Sequence, residues 1–127
     1  MSEEVDIEVK VNVAANCLHV YLEGNEDGAE IEKRVLVEVF DQCRSLGLSR
    51  VLVEKNLRVQ MSAAESFELG KFAADQAPDG LRMALYDRVS DHFDVNSFGV
   101  LVANNRGLDA KAFSDIDEAK RWLSEAE

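Results

Sequence analysis

The regular alternation of strand and helix patterns is the feature that most constrains the fold of this chain. Apolar and polar residues alternate over residues 5–13 and again over residues 18–22, which is the period-2 pattern of strands with one wet face. The intervening Ala14-Ala15-Asn16 predicts a turn, so the first two strands should form an antiparallel β-hairpin. After this pair, each strand pattern is separated from the next by a helical pattern.

The next three patterns predict a helix, a buried strand and a second helix. Beyond a turn-like segment at residues 24–28, apolar residues recur at helical spacing until Gly47 ends the helix. These apolar positions are Ile31, Val35, Val39, Phe40, Cys43 and Leu46. Residues 51–53 are short and uniformly apolar, which predicts a central strand covered on both faces. The second helix runs from Ser62 to about Ala77, because Pro78 blocks its continuation.

The remaining patterns complete an α/β order. Residues 81–86 predict a fourth strand, residues 94–106 a third helix closed by Gly107, and residues 108–113 a fifth strand before the last helix. One face of the third helix carries Val95, Phe98, Leu101 and Val102, and the last helix carries Ala119, Trp122 and Leu123. The order ββαβαβαβα predicts one α/β domain over residues 1–127, with a mixed, mostly parallel five-stranded sheet and four helices.

Length and charge exclude several classes of function. The 127 residues fall within the size range of one domain. The 14 Lys and Arg against 25 Asp and Glu leave a formal charge of −11, which repels nucleic acids and anionic lipid surfaces. No apolar run approaches the roughly 20 residues that span a bilayer, and the first four residues are acidic rather than signal-like. We therefore expect a cytoplasmic protein that binds no nucleic acid and makes at most peripheral membrane contact.

The cysteines and histidines form no recognisable catalytic motif. Cys17 and Cys43 lie inside periodic segments without a Cys-x-x-Cys pair, and both are predicted to behave as small buried hydrophobes. His19 shares a strand face with Cys17 and Tyr21, where a partly buried histidine is expected. Neither histidine lies near a plausible nucleophile in the sequence, so no triad is indicated. We expect no catalytic residue, no cofactor and no enzymatic activity.

One acidic cluster around His92 resembles a metal-binding segment only superficially. Asp91, His92 and Asp94 supply fewer than the four ligands that a closed structural site requires, and a catalytic site usually needs three ligands with further supporting groups. We interpret the cluster as the start of the third helix, with Asp91 or Asp94 as the cap and His92 exposed to solvent. No metal site is predicted.

The most specific local signal is the start of the second helix, Ser62-Ala63-Ala64-Glu65. The Ser62 hydroxyl is placed to accept the backbone N–H of Glu65, while the Glu65 carboxylate reaches back to the N–H of Ser62. Such a reciprocal capping box contributes on the order of 1 kcal/mol to helix stability. A serine at this point is either a helix cap only or also a phosphate-bearing position.

The loops after the third and fourth strands define the predicted binding crevice. Ligands of open α/β sheets bind beyond the C-terminal ends of the strands. Arg58 and Arg88 would hold an anionic head group there, against an apolar wall. The candidate surface comprises Asn56, Leu57, Arg58, Val59, Met61, Arg88, His92 and Phe93. The alternative, that these are ordinary loop residues packed on the sheet edge, stays open.

Two stretches carry a family resemblance. The first is the strand followed by MSAAESFELGKFA, and the second is the ending DVNSFGVLVANNRGLDAKAFSDIDEAKRWL, in which a helix, an Asn-Arg-Gly stop, a short strand and a last helix follow in order. From Val51 to Leu123 the chain resembles the SpoIIAA-like (STAS-like) domain family, relatives of anti-sigma-factor antagonists. The resemblance covers a little over half of the chain, and the N-terminal hairpin and helix are compatible with it.

The resemblance implies a non-enzymatic regulatory or protein-interaction module that acts at the seam between the third strand and the second helix. Its phospho-acceptor serine corresponds to Ser62, although Met61 and Ala63 replace the acidic and hydroxyl neighbours of the family motif. Some SpoIIAA-like relatives resemble small lipid-binding domains, which keeps open an apolar-ligand or lipid-binding role with transient membrane association. The implied partner is a protein or a small apolar ligand, and a homodimer also stays open.

Overall fold

Five strands form one mixed sheet, as predicted. The computed structural model describes residues 7–25 and 28–125, so the predicted start of the first strand at Val5 and turn residues 26 and 27 lie outside the described residues. The strands are β1 (Ile7–Ala14), β2 (Cys17–Gly24), β3 (Arg50–Leu57), β4 (Arg82–Asp87) and β5 (Asp109–Phe113). Their spatial order is β1-β2-β3-β4-β5; β1 runs antiparallel to β2, and the other neighbours are parallel.

A two-residue turn sets the register of the hairpin. Ala15 and Asn16 have φ values of 54° and 63°, and Ala14 is paired with Cys17. Two consecutive positive φ angles define the type I′ turn, whose twist matches that of the flanking strands. The predicted antiparallel hairpin is confirmed.

Four helices cover the sheet, three on one face and one on the other. They are α1 (Ala29–Leu46), α2 (Ala63–Gln76), α3 (Phe93–Asn105) and α4 (Ile116–Ser124), and a short 3-10 turn, Ser90–His92, precedes α3. Val51 and Val53 of β3 pack in the core beneath α1, α2 and α3, whereas Leu52 packs with Leu123 of α4 on the opposite face. No helix in the described ranges is both long and apolar enough to cross a membrane.

Helix α1 confirms the predicted apolar stripe except at its end. Val39, Phe40 and Cys43 are almost completely buried, whereas Leu46 is exposed. The helix ends at Gly47, whose φ of 69° is left-handed and whose N–H bonds to the carbonyl of Cys43. Leu46 lies in the last turn, which is why it extends beyond the core.

Small residues bring α2 and α3 into close contact. A Cβ atom on Gly70 would collide with the carbonyl oxygen of Gly99, and a Cβ on Gly99 would lie 2.5 Å from Oγ of Ser66. The Ser66 hydroxyl donates a hydrogen bond to the carbonyl of Val95 (2.7 Å). The backbones of the two helices therefore approach each other more closely than larger side chains would allow.

Candidate functional site

The start of α2 has the predicted cap. Oγ of Ser62 accepts the backbone N–H of Glu65 (3.1 Å), and Oε1 of Glu65 accepts the N–H of Ser62 (3.0 Å). Ser62 itself is exposed, at the edge of the sheet where the parallel strands end. The capping box is confirmed, whereas phosphorylation of Ser62 stays a prediction.

The segment before α2 is more buried than predicted, because β3 is longer than residues 51–53. It runs to Leu57, so Asn56 and Leu57 are strand residues rather than loop residues. Leu57 is fully buried and Met61 is almost so, which removes most of the predicted apolar wall from solvent. Among the candidate residues of this segment, only Arg58 and Val59 are freely exposed.

The strand continues through polar residues because each of their side chains has a hydrogen-bonding or ionic partner on the face of the sheet to which it points. Nδ2 of Asn56 donates to the hydroxyl of Tyr21 (3.2 Å), and Glu54 is bound by His19 and Arg88 on the same face. Lys55 points to the opposite face. The polar residues at the end of β3 are typical of a loop in sequence. In the structure, these contacts satisfy their hydrogen-bonding groups while the backbone remains a strand.

Arg88 does not join Met61 in one crevice. Its Nε donates to Oε2 of Glu54 (2.8 Å), and its guanidinium lies 4.8 Å from the ring centroid of Tyr21. It lines a shallow groove with His19 on the face that α4 leaves open. Met61 lines a cavity on the other face, together with Lys55 and residues of α2 and α3. The sheet separates the two parts of the predicted surface.

A buried polar chain runs beneath α3. Nζ of Lys55 lies 2.6 Å from Oε2 of Glu32 and 3.4 Å from Oδ1 of Asn96. Nδ2 of Asn96 donates to Oδ2 of Asp87 (2.8 Å), which also lies 3.3 Å from Nδ1 of His92. These contacts tie α1, β3, β4 and α3 together at one end of the sheet. Removing one partner from such a buried ionic chain typically costs about 3–5 kcal/mol.

The position of His92 corrects a prediction. Its side chain is buried instead of exposed, and neither Asp91 nor Asp94 caps α3, which begins without a side-chain cap. Asp87 takes the local role instead, because its Oδ1 accepts the N–H of Val89 and fixes the turn that leads to α3. Phe93 is the first residue of α3 and is half-buried. Within residues 7–25 and 28–125, no three His, Cys, Asp or Glu side chains converge as a metal site would require.

The polar chain was missed in the sequence because its members lie far apart along the chain. Lys55 and Asp87 stand at the ends of strand patterns, where charged residues usually mark the start of a loop. Glu32 occupies an ordinary position in the first turn of a helix. The sequence contained one indication of the chain. Lys55 lies two residues after Val53 and four after Val51, so in a strand its side chain shares their covered face.

The cavity beneath α2 and α3 is small. Its volume is about 60 Å³, and its walls are mainly apolar, including Met61, Leu69 and Val100. Pockets for drug-sized ligands typically enclose about 300–1,000 Å³. A lipid chain would therefore enter here only if α2 and α3 moved apart.

The outer surface of α2 and α3 carries an exposed apolar ridge. The rings of Phe67 and Phe98 are stacked with their centroids 6.5 Å apart. Phe67 is 41 % exposed, Phe98 40 % and Leu101 55 %. We call these three residues the aromatic ridge. Nζ of Lys71 lies 5.8 Å from the Phe67 centroid, which gives the ridge a charged border.

The ridge divides the apolar face that the sequence indicates for α3. Of Phe98, Leu101 and Val102, which share that face, only Val102 is buried. Gly99 and Ala103 occupy the contact with α2 and the core instead, because the close helix approach leaves room only for small side chains there. The apolar residues on either side of this contact are turned outward.

Electrostatics on the open face of the sheet centre on Glu54. Burial raises the pKa of this carboxyl, but hydrogen bonds from Arg88 and His19 outweigh burial and hold its pKa below the ordinary value. Nε2 of His19 lies 2.9 Å from Oε1 of Glu54, and the predicted partial burial of His19 is confirmed. The carboxylate therefore stays ionised between the guanidinium of Arg88 and the imidazole of His19.

The cysteines lack the properties of reactive thiols. Cys43 is buried as predicted, whereas Cys17 is only partly buried. Burial raises the pKa of both thiols, and the nearby Arg50 lowers that of Cys17 only in part. Because the thiolate is the nucleophile, a raised pKa makes both side chains poor nucleophiles at neutral pH.

Comparison with known proteins identifies the fold. No family model and no curated protein matches the sequence. The structure is similar to the crystal structure of an anti-sigma factor antagonist from Mycobacterium paratuberculosis, with a TM-score of 0.63, 9 % sequence identity, and coverage of 94 % of this chain and 95 % of that chain. The chain therefore has the α/β fold of an anti-sigma factor antagonist, and the SpoIIAA-like (STAS-like) fold predicted from the sequence is confirmed.

Proposed function

We propose that this chain is a non-enzymatic regulatory domain that binds a protein partner through the aromatic ridge and the adjoining start of α2. The observation that carries the proposal is the stacked pair of Phe67 and Phe98, exposed on two helices that are otherwise well packed. Aromatic side chains held rigidly at a surface are typical of the energetic centre of a protein interface. The fold shared with an anti-sigma factor antagonist supports a partner-binding role.

Charge defines the kind of partner. The chain carries a formal charge of −11, so long-range attraction favours a protein with a basic surface. Glu68 is exposed on α2 directly after Phe67 in the sequence and would add negative charge toward such a partner. We expect an apolar contact to Phe67 and Phe98 with a basic rim, and a complex that forms more slowly as salt concentration rises.

Ser62 supplies the point of regulation in this proposal. It is exposed at the residue just before α2, four residues before Ser66 and five before Phe67. A phosphate there would add about −1.5 to −2 charges beside the Glu65 carboxylate, at the border of an apolar interface. That charge would also break the reciprocal cap. We therefore expect modification of Ser62 to oppose partner binding.

The test is affinity capture from the native host with the full chain as bait. Phe67→Ser and Phe98→Ser should each reduce recovery of a specifically captured protein at least about tenfold, the loss typical of a truncated interface anchor. Ser62→Asp keeps a capping oxygen and adds a charge, so it should also reduce capture, whereas Ser62→Ala should not.

Val37→Ser is the matched control. Val37 is an apolar residue of α1 with 42 % exposure, similar to that of Phe67, but it lies outside the ridge. Capture that is equally strong with wild type, Phe67→Ser and Phe98→Ser would contradict the proposal. An equal loss of capture with Val37→Ser would show that binding depends on exposed apolar surface in general and not on the ridge. That result would also contradict the proposal.

The small cavity beside Met61 does not support the apolar-ligand alternative at the loop where the sequence predicted it. About 60 Å³ holds no lipid chain, and the residues expected to open around one, Leu57 and Met61, are packed in the interior. Native mass spectrometry of the gently purified chain tests this preference, because a stoichiometric apolar adduct would favour the alternative.

A further inference from the structure

The outer strand of the sheet leaves an apolar stripe uncovered. Val9, Val11 and Val13 of β1 are 43 %, 41 % and 50 % exposed. Val9 is paired with Leu22 of β2, and Val11 is paired with Val20. Leu22 and Val20 are almost completely buried. The three valines therefore lie on the same face of the sheet as the core, but beyond the area on which α1 packs. Val9 and Val11 line an open groove with Ile31 and Val35 of α1.

The main chain of β1 also presents a free edge. A two-residue hairpin turn closes with a hydrogen bond between its flanking residues, here Ala14 and Cys17. Hydrogen-bonded pairs recur at every second residue of an antiparallel ladder, so Lys10 and Glu8 also direct their backbone groups toward β2. Val9 and Val11 direct their N–H and C=O groups away from β2, toward the open edge. Such an edge is a template for another strand.

Charge on the other face of β1 is unbalanced. Glu8 stands directly opposite Glu23 of β2, and like charges in that position are destabilising. Lys10 stands opposite Tyr21, with its Nζ 6.0 Å from the ring centroid. A strand added at the open edge would place one of its side chains opposite Glu8 and another opposite Lys10, on the side away from β2.

We propose that β1 pairs with β1 of a second copy of this chain, antiparallel and about a two-fold axis through Val9. In this register Glu8 of each protomer faces Lys10 of its partner, which forms two opposite-charge pairs on one face. On the other face, Val9 meets Val9 and Ile7 meets Val11, so the apolar stripe is extended across the axis. The two sheets join into one.

Neighbouring registers are less favourable. An axis through Lys10 places Lys10 opposite Lys10, and an axis through Glu8 places Glu8 opposite Glu8, so both oppose like charges. An axis through Val11 places Lys10 opposite Asn12 and leaves Glu8 without an opposite charge. The sequence of β1 therefore selects the axis through Val9.

The proposed dimer is independent of the partner-binding proposal. The β1 edge lies at one end of the sheet, and α3 packs on β5 at the other end. Two-fold pairing at β1 therefore leaves the aromatic ridge of each protomer open. Failure of the dimer would leave the ridge proposal intact, and the reverse also holds.

Charge exchange tests the dimer by sedimentation of the full chain over a range of concentrations. Glu8→Lys and Lys10→Glu should each weaken association about tenfold or more, because each opposes like charges twice. An equimolar mixture of the two variants should associate as a heterodimer, and the double variant should recover wild-type association. Glu8→Lys also lowers the magnitude of the net charge, so general repulsion predicts the opposite result for that variant.

Asp79→Lys is the control, since it makes the same charge change in an exposed turn away from β1. It should leave association unchanged. A wild-type chain that stays monomeric at every concentration would overturn the proposal. So would association that is insensitive to both single variants, or a mixture of the two that remains monomeric.

Disulfide trapping tests the register. In the proposed pairing the two Val9 Cα atoms face each other as a hydrogen-bonded pair at about 5.5 Å, within the range that a disulfide spans. Val9→Cys should form a covalent dimer under mild oxidation, whereas Val13→Cys, equally exposed on the same strand, should not. The wild-type chain, oxidised in the same way, shows whether Cys17 or Cys43 forms a covalent dimer without the added cysteine. Equal trapping at both positions, or trapping only at residue 13, would contradict the register.

Discussion

At the scale of single residues, the open face of the sheet is organised by Glu54. This carboxylate receives hydrogen bonds from both sides, from Arg88 at 2.8 Å and from His19 at 2.9 Å. The Glu54 side chain is 6 % exposed, whereas Arg88 is about half exposed and is therefore partly screened by water. The pair holds the end of β4 onto β3, and it depends on Glu54 being ionised.

The lowered pKa of Glu54 predicts a pH dependence of stability. A group whose pKa is lower in the folded than in the unfolded state contributes stability that is complete above its unfolded pKa, near the ordinary 4.5, and that is lost as pH falls through its folded pKa. Glu54→Gln should lower the free energy of unfolding at pH 7 by about 1 kcal/mol, because hydrogen bonds to a charged group are weakened. The difference between wild type and variant should shrink below about pH 4.5.

Urea unfolding at pH 7, 5, 4 and 3 provides the measurement. Glu68→Gln is a suitable control, because Glu68 is largely exposed and its nearest cation, Lys33, lies 3.9 Å away. That change should alter stability little at any pH. A Glu54→Gln difference that stays constant or grows toward pH 3 would contradict the assignment.

At the scale of elements, the contact between α2 and α3 determines what the surface displays. Gly70, Gly99 and Ser66 let the two backbones approach closely, and the larger apolar residues on either side are left outside. The stacking of Phe67 on Phe98 joins one helix to the other across this contact. The spacing of the two helices therefore sets the geometry of the aromatic ridge.

Gly99→Ala should reveal this dependence. In an exposed helix the change normally stabilises by up to about 1 kcal/mol. Here the new Cβ would meet Oγ of Ser66 at 2.5 Å and its backbone oxygen at 3.0 Å, so the helices must separate. We expect a loss of about 1–3 kcal/mol in the free energy of unfolding, measured in urea. A neutral or stabilising effect would show that the helices are not held this closely.

The elements differ in how far their sequences predict them. The hairpin, the order of the elements and the cap at Ser62 depend on local patterns and were predicted. The length of β3 was not, because Glu54 and Asn56 are satisfied by residues far away in the sequence, in β2 and just after β4. The burial of His92 depends in the same way on Asp87 and cannot be read from adjacent residues. The exposure of Phe98 was not predicted, because helical periodicity shows an apolar face without showing which part of it a close glycine contact leaves exposed.

The predicted site residues divide along the same line. Ser62 and Glu65 were placed correctly because a capping box is local. The convergence of Met61 and Arg88 was an inference from two adjacent loops, but Met61 lines the cavity on one face of the sheet and Arg88 lines the groove on the other. Topology thus indicates the edge of the sheet that these residues occupy, but not the face to which each side chain points.

At the scale of the whole molecule, two exposed apolar surfaces lie at different ends of the sheet. The aromatic ridge is on α2 and α3, and the valine stripe is on the β1 edge. Monomeric soluble proteins rarely leave large contiguous apolar patches exposed, so each surface calls for its own cover. A dimer joined at β1 would present two ridges, and a partner with two binding sites would then gain avidity without any new contact.

Amide hydrogen exchange of the chain with and without its captured partner tests the central claim, that the ridge and the start of α2 form the regulatory interface. We predict slower exchange in α2 from residue 63 to about residue 71 and in α3 from residue 93 to about residue 102, with β1 and α4 unchanged. Protection confined to the groove around His19 and Arg88, with no change in α2 or α3, would contradict the account.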